Sequence, residues 1–349
     1  MTGTPSSPDG RTVVCVSNAA SGDISVLALD ATTGALSEVQ RLALGGVVMA
    51  LAVSPDRRRL YASRRSAPFA VYSLALGRDG RLTLLDETAL PASMAYLATD
   101  QSGRWLYSAS YDSHCIAISP IGANGVVGAV HQTLHTERHA HCIRPAPDNR
   151  AVWVACLGAD VLLRYDVDVA TGTFSPSPDA RVEVAAWDGR RPGPRHLAFS
   201  ANGAHLYVLC ELDASIAVYA HAVATGTLSL LQRLAFAPAT LDGAPWAAEL
   251  RLTPDGCHLY ASERRSHTVA VFGVGADGHL QLHGHTDTER QPRGMAIDPS
   301  GRCLFAAGQR SNRLAVHILD PASGRLTAGA AVDVGDNPNW VEAIALPSD

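Results

Sequence analysis

One short phrase recurs seven times along the chain, and this repeat limits the possible fold more than any other feature. Each copy reads as a tight turn, such as Ser-Pro-Asp, followed by a strand with an aromatic or large apolar residue. A second phrase with a turn glycine, such as RDGRLTLL, follows every copy. The copies lie roughly 45–54 residues apart, a spacing typical of β-propeller blades. The aligned positions are Val14, Tyr61, Tyr107, Trp153, Tyr207, Tyr260 and Phe305.

We therefore predict an all-β fold, a seven-bladed β-propeller with four antiparallel strands in each blade. The first strand, TVVCVSN, has no inner strand ahead of it, whereas the C-terminal segment NWVEAIAL is an inner strand without a following hairpin. Pairing these two segments would close the ring and leave no open edge. We expect residues 1–10 to be a flexible tail and residues 11–349 to be one domain, because blades stack on a shared core.

The composition excludes several kinds of function. The chain contains no lysine, so it cannot use a Schiff base, a lysine base or a P-loop, and arginine or histidine must hold any anion. The net charge of −5, without a basic run, argues against nucleic acid and membrane surfaces as partners. The start, MTGTPSSPDG, lacks the pattern of a secretory signal, and the seven cysteines are scattered without a CxxC pair. These features predict a cytoplasmic protein with free thiols.

The blade topology predicts which distant residues meet. Each inner strand borders the central channel and the second strand returns beside it, so inner-strand starts and second-strand ends share one rim. Charged residues concentrate there, around a concavity that is the default place for a ligand. At inner-strand starts the candidates are His139, His141, Arg195, His196, Trp246, Glu249, Arg293, Asn339 and Trp340. At second-strand ends they are Asn18, Arg64, Arg65, Tyr111, Asp112, Glu211, Glu263, Arg264 and Gln309.

The phrases SPDRRRLY, GPRHLAF, TPDGCHLYASER and QPRGMAIDPSGRCLFAAGQRS resemble the bacterial seven-bladed 6-phosphogluconolactonase family over essentially the whole chain. That family is similar in turn to the fungal carboxymuconate-lactonising enzymes. The resemblance implies hydrolysis of 6-phosphogluconolactone in the pentose phosphate pathway. By motif, the functional residues of the related cycloisomerases match His141, Arg195, Glu211 and Arg264. The chain departs from the family at Cys210, where Asn usually precedes the Glu-Leu pair, and in the histidine-rich stretch HTERHAHCIRPAPD.

Lactone hydrolysis needs a base for the attacking water and cations for the developing oxyanion. We expect Glu211 or His141 to be the base and Arg195 to stabilise the oxyanion, without a metal or other cofactor. Arg264 and Arg293 would hold the phosphate or carboxylate of a small anionic lactone. The further substrate contacts predicted on this rim are His196, Arg64, Gln309 and Trp246. Replacing Arg195 or Glu211 by alanine is expected to lower kcat severely and to leave the melting temperature near that of the wild type.

Other functions stay open from the sequence. The same rim could serve a lactonase for an unphosphorylated lactone, or a lactonising cycloisomerase. A binding propeller without chemistry is disfavoured because the Gly-His and Trp-Asp signature of WD40 repeats is absent. A calcium lactonase is disfavoured by the count of seven blades. The spacing of His131, His135, His139 and His141 resembles a zinc-ligand pattern, but these residues cross a loop, and we expect no metal there. We expect a monomer or a weak homo-oligomer.

Overall fold

Seven four-stranded antiparallel sheets form the fold of the computed structural model, which describes residues 11–347, with residues 178–180 as backbone only. The first blade contains β1 (Thr12–Asn18), β2 (Asp23–Leu29) and β3 (Leu36–Ala43). The second contains β4 (Val48–Val53), β5 (Arg59–Arg64), β6 (Ala70–Leu76) and β7 (Leu82–Ala89), and the third contains β8 (Met94–Thr99), β9 (Trp105–Ser110), β10 (Cys115–Pro120) and β11 (Gln132–His135). The fourth contains β12 (Ala140–Pro145), β13 (Ala151–Cys156), β14 (Val161–Asp168) and β15 (Thr173–Glu183), and the fifth contains β16 (Pro194–Phe199), β17 (His205–Cys210), β18 (Ser215–Ala222) and β19 (Thr227–Ala235). The sixth contains β20 (Ala247–Leu252), β21 (His258–Glu263), β22 (Thr268–Val274) and β23 (Leu280–Asp287). The seventh contains β24 (Pro292–Ile297), β25 (Cys303–Gly308), β26 (Arg313–Leu319) and β27 (Leu326–Asp333), and β28 (Pro338–Ala345) is the last strand.

The C-terminal strand closes the ring, as the sequence predicts. Strand β28 pairs antiparallel with β1, with Val14 opposite Ala343, and becomes the fourth strand of the first blade. The seven-bladed prediction is therefore confirmed. The predicted tail, residues 1–10, lies outside the described residues, so the domain boundaries stay a prediction. Residues 11–347 contain no helix that is long and apolar enough to span a membrane.

Hydrogen bonds between neighbouring blades explain why the two repeated phrases keep the same phase. The repeated tyrosines are buried between the sheets, and the hydroxyl groups of three of the four, Tyr61, Tyr207 and Tyr260, donate to the turn of the second phrase in the next blade. Tyr207 donates to the carbonyl of Gly278 at 3.2 Å, and Tyr260 donates to that of Gly324 at 2.7 Å. Both glycines have positive φ, where side chains are strained. One phrase thus supplies the donor and the other supplies the acceptor.

The inner strands surround a central channel, and bulges interrupt most of them near one rim. The pairing register with the second strand shifts close to the start of β4, β8, β12, β16, β20 and β24. A bulge leaves one residue without a partner opposite it and re-aims its side chain. These bulges lie on the rim where the second strands end, the rim predicted to hold the site.

Candidate active site

In three inner strands the bulged residue is a predicted site residue. His141 lies in the bulge of β12, Arg195 in that of β16 and Arg293 in that of β24. All three side chains are buried, although they begin at the rim of the channel. The bulges thus direct one titratable side chain from each of three blades toward the channel.

Glu211 lies between two of the arginines. Its Oε2 atom is 2.7 Å from the Nε of Arg195 and 2.8 Å from the Nη2 of Arg264. The contact with Arg264 is a hydrogen bond, whereas the N–H of Arg195 Nε does not point along a bonding direction and the contact is purely ionic. The Arg195 side chain is only 1% exposed, and that of Glu211 is 14% exposed. One carboxylate therefore links two buried guanidinium groups from neighbouring blades.

Trp246 covers the outer side of this cluster. Its ring centroid lies 3.7 Å from the guanidinium carbon of Arg264, a cation–π contact, and its indole Nε1 donates to Glu211 at 3.3 Å. The side chain is more exposed than its neighbours, at 37% for the residue. Trp246 therefore forms a wall of the site that a ligand entering the channel can contact.

Positive charge exceeds negative charge around Glu211. Burial and the nearby Arg195 lower the pKa of Arg264 to about 9, even though Glu211 acts in the opposite direction. Burial, and then Arg195, Arg264 and Arg65, hold the pKa of Arg293 well below its ordinary value. The guanidinium groups repel one another in a poorly hydrated space, and an anion bound among them would relieve that repulsion.

His141 has a free ring nitrogen beside these cations. Its Nδ1 is buried and has no hydrogen-bond partner among the described residues. Burial holds the pKa of His141 well below 6.5, and Arg195, His196, Arg293 and Arg65 lower it further. The imidazole is therefore neutral near pH 7, with a lone pair available to accept a proton.

A second histidine connects Arg195 to a buried carboxylate. Arg195 Nη1 donates to the Nε2 of His196 at 3.1 Å, and the same Nη1 donates to the carbonyl of Ala248. A guanidinium can only donate, so Nε2 of His196 is unprotonated and its Nδ1 donates to Glu249 at 2.7 Å. Burial raises the pKa of Glu249 and lowers that of His196. This chain of contacts fixes the direction of the Arg195 guanidinium.

Comparison with known proteins identifies the family. Residues 11–343 match the family model of lactonases with a seven-bladed β-propeller. The chain belongs to this lactonase family. A curated 6-phosphogluconolactonase from Pectobacterium carotovorum is 39% identical over 96% of this chain and 99% of its own. One from Serratia proteamaculans is 37% identical over 96% and 99%, respectively. The solved structure of the periplasmic gluconolactonase of Pseudomonas aeruginosa has a TM-score of 0.89 at 27% identity, covering 97% of this chain and all of that chain.

Two predicted substrate contacts of the lactonase bond other residues of the protein instead. Arg64 is the last residue of β5, and its guanidinium bonds Pro68, Tyr72 and Glu87 on the outer part of the blade. The structure does not bring it to the channel, because side chains alternate along a strand and this one points to the other side. Gln309 bonds Asn337 at 2.8 Å and Gln291 at 3.1 Å, which occupies both ends of its amide.

Two residues beside the site had no role assigned to them from the sequence. Arg65, one residue after Arg64, donates to Ser93 and pairs with Asp112, and its charge acts on His141. Tyr111 packs edge-to-face on His141 at 5.9 Å, and burial, followed by Glu211, raises its pKa. Both follow the end of a second strand and are among the rim candidates predicted from the sequence, but neither was assigned a role there. The choice between Arg64 and Arg65 depends on which way the strand end turns.

The four histidines considered as zinc ligands have different surroundings. His131 packs on Trp105, His139 stacks on Tyr111 at 4.1 Å, and His141 contacts His196 at 5.2 Å. Within residues 11–347, no three histidine, cysteine, aspartate or glutamate side chains are grouped in a way that could hold a metal ion. The absence of a cofactor stays a prediction.

Proposed function

We propose that this lactonase hydrolyses 6-phospho-D-glucono-1,5-lactone to 6-phosphogluconate at the rim site formed by His141, Arg195, Glu211, Arg264 and Arg293. The observation that carries the proposal is the cluster of buried guanidinium groups that share one carboxylate. Such an excess of positive charge favours an anionic ligand, and the curated relatives at 37–39% identity are named 6-phosphogluconolactonases. Arginine also suits phosphate and carboxylate oxygens, because its planar fork can donate two parallel hydrogen bonds.

In the proposed mechanism, His141 is the general base. Its neutral imidazole accepts a proton from water while the water oxygen attacks the lactone carbonyl. Arg195, held in place by His196 and Glu211, stabilises the negative charge on the carbonyl oxygen. The ring carbon–oxygen bond then breaks, and the leaving oxygen takes the proton back from the imidazolium, which leaves the ring-opened acid. Positioned donors of this kind typically contribute 100- to 1,000-fold to turnover.

Glu211 has a positioning role in this proposal. Both close contacts of its carboxylate are with guanidinium groups, at 2.7 and 2.8 Å, so it orders Arg195 and Arg264. The alternative, in which Glu211 itself accepts the proton, predicts that Glu211→Gln loses activity as completely as His141→Gln. A positioning role predicts a smaller loss and an unchanged pH profile.

Substrate phosphate is the point on which the two candidate functions differ. The P. aeruginosa protein is named a periplasmic gluconolactonase, which favours an unphosphorylated lactone as the second candidate. The test compares kcat/KM for lactones with and without the 6-phosphate, after subtracting spontaneous hydrolysis. Each lost charge-assisted bond is worth about 1.5–3 kcal/mol, so removal of the phosphate should lower kcat/KM by at least about tenfold. Equal rates on both lactones would favour the second candidate.

A variant pair tests the proposed phosphate contact. Arg293 donates to the Asn339 carbonyl at 3.2 Å and has no carboxylate partner within ion-pair distance in the described part of the chain. Arg293→Gln should lower kcat/KM for the phosphorylated lactone and change it little for the unphosphorylated one. Arg290→Gln removes the same charge from an exposed position three residues earlier and is the matched control. A cytoplasmic location and a monomeric or weakly associated state remain part of the proposal.

A further inference from the structure

A second cavity opens at the end of the channel opposite the proposed active site. Its volume is about 390 Å³, within the range of small-molecule pockets. The walls come from the inner strands, where Tyr96 and Trp340 directly follow bulged positions. Arg144 lies three residues beyond the bulge that holds His141, about 10 Å along the strand. The polar and aromatic residues of this lower cavity are Tyr96, Gln101, Arg144, Arg251, Trp340 and Glu342.

A layer of packed rings lies between the two ends of the channel. Tyr96 packs edge-to-face on His196 at 5.3 Å and on Trp340 at 5.2 Å, and His196 lies 5.6 Å from Trp340. His141 contacts His196 from the active-site side. The lining of the lower cavity includes none of His141, Arg195, Glu211, Arg264 and Arg293, so a molecule there would occupy a site distinct from the rim site.

Arg144 brings an unmatched charge to the lower cavity. Its Nε is buried without a hydrogen-bond partner, and its Nη1 makes only a long contact of 3.5 Å with the Tyr96 hydroxyl. Within residues 11–347, no carboxylate lies within ion-pair distance of Arg144. Arg144 is half-buried, its Nε–H has no partner among the described residues, and its terminal nitrogens are free to donate to an anion in the cavity.

Arg251 adds a second cation to the same cavity. Its Nη2 lies 3.5 Å from Glu342 and 3.6 Å from Glu249, both longer than the ion pairs at the active site. Glu249 already accepts a hydrogen bond from His196, and Glu342 accepts one from Trp340 at 2.8 Å. The two carboxylates are therefore shared with other donors, so Arg251 has only long ion pairs and Arg144 has none among the described residues.

We propose that the lower cavity is a second binding site, which takes a small phosphate- or carboxylate-bearing anion through Arg144 and Arg251. The guanidinium of Arg144 would bind the anion directly, and Arg251 would approach it from a facing strand. Tyr96 and Trp340 supply the apolar wall and Gln101 a polar edge. The inference does not depend on which lactone the rim site hydrolyses.

Two tryptophans serve as separate reporters for a direct test. The indole Nε1 of Trp340 donates to Glu342 at the lower cavity, and that of Trp246 donates to Glu211 at the rim. Their ¹⁵N–¹H signals, assigned through Trp→Phe substitutions, are followed while inorganic phosphate, or acetate in a parallel arm, is added to the full-length protein. The proposal expects the Trp340 signal to titrate, with an affinity independent of that seen at Trp246.

Arg144→Met should weaken phosphate binding at Trp340 by at least about tenfold and leave the Trp246 titration unchanged. Gln101→Glu places a carboxylate at the edge of the cavity without touching Arg144, and should also weaken binding if Arg144→Met fails to fold. Arg58→Met removes a charge from an exposed turn outside the cavity and is the matched control. The proposal is overturned if phosphate does not move the Trp340 signal, if both cavity variants titrate like the wild type, or if the control weakens binding equally.

Discussion

The carboxylate of Glu211 offers the sharpest test of the site, through the substitution Glu211→Gln. Glutamine keeps the size of the side chain and removes the charge that lies 2.7 and 2.8 Å from Arg195 and Arg264. Removing one partner of a buried ion pair typically destabilises a protein by about 3–5 kcal/mol. With an unfolding entropy of about 2.1 cal/mol/K per residue, that loss lowers the melting temperature of a chain of 349 residues by about 4–7 °C.

The sequence alone led us to expect an unchanged melting temperature for substitutions of Glu211 and Arg195. The burial of both side chains reverses that expectation, because each would leave the other with unpaired charge. The same reasoning predicts that phosphate stabilises Glu211→Gln more than it stabilises the wild type. An added anion can replace the missing carboxylate, and stabilisation by a ligand grows as its dissociation constant falls.

The assay is differential scanning calorimetry with and without added phosphate, in a buffer of constant ionic strength. Glu183→Gln is the control, because Glu183 also pairs with an arginine at 2.7 Å but is 74% exposed. An exposed pair contributes at most about 1 kcal/mol, so this variant should melt within about 1.5 °C of the wild type. The reasoning is refuted if Glu211→Gln melts like Glu183→Gln, or if phosphate stabilises it less than the wild type.

Three further predictions follow from the site and the core. His141→Gln should lower kcat by about 100- to 10,000-fold with little change in KM. The pKa of His141 is held well below 6.5, so kcat/KM of the wild type should stay flat near pH 7 and fall only well below pH 6.5. Glu249→Leu should lower kcat by re-aiming Arg195 through His196, and Glu249→Gln, which keeps an acceptor for His196, should restore most of it. Burial lowers the pKa of His317 from 6.5 to about 4. The free energy of unfolding should therefore fall by about 3 kcal/mol as the pH drops from 6.5 to about 4, because the unfolded chain binds the proton first. Urea titrations at these two pH values should show a smaller loss for His317→Gln.

The number of blades and the closure of the ring could be predicted from the sequence, because each blade carries its own copy of the repeated turn and strand residues. The two segments predicted as the first and last strands, TVVCVSN and NWVEAIAL, differ from β1 and β28 by at most one residue at either end. The meeting of Arg195, Glu211 and Arg264 also followed from topology, because strand ends on one rim must converge. Their chemical roles stay predictions.

The remaining details of the site depend on side-chain direction, which the repeat does not encode. Whether Arg64 or Arg65 turns toward the channel depends on where the strand pairing ends. The contact of His196 with Glu249 joins adjacent blades across 53 residues, and neither residue carries a local signal for the other. The lower cavity has no local signal for a similar reason, since Arg144 and Arg251 come from the inner strands of two different blades.

The closed ring explains how a chain of net charge −5 can concentrate positive charge at one point. Each blade contributes an inner strand, so bulges in two blades bring Arg195 and Arg293 to one channel mouth, and a second-strand end adds Arg264, without any run of basic residues in the sequence. Guanidinium groups suit this position because they stay protonated even where burial and mutual repulsion lower their pKa, as at Arg264. A lysine buried in the same place would tend to lose its proton. The repulsion among the arginines that Glu211 does not neutralise lowers the stability of the ligand-free protein and raises its affinity for an anion. Selectivity for an anionic lactone over a neutral one would then come from the relief of that repulsion, in addition to the new hydrogen bonds.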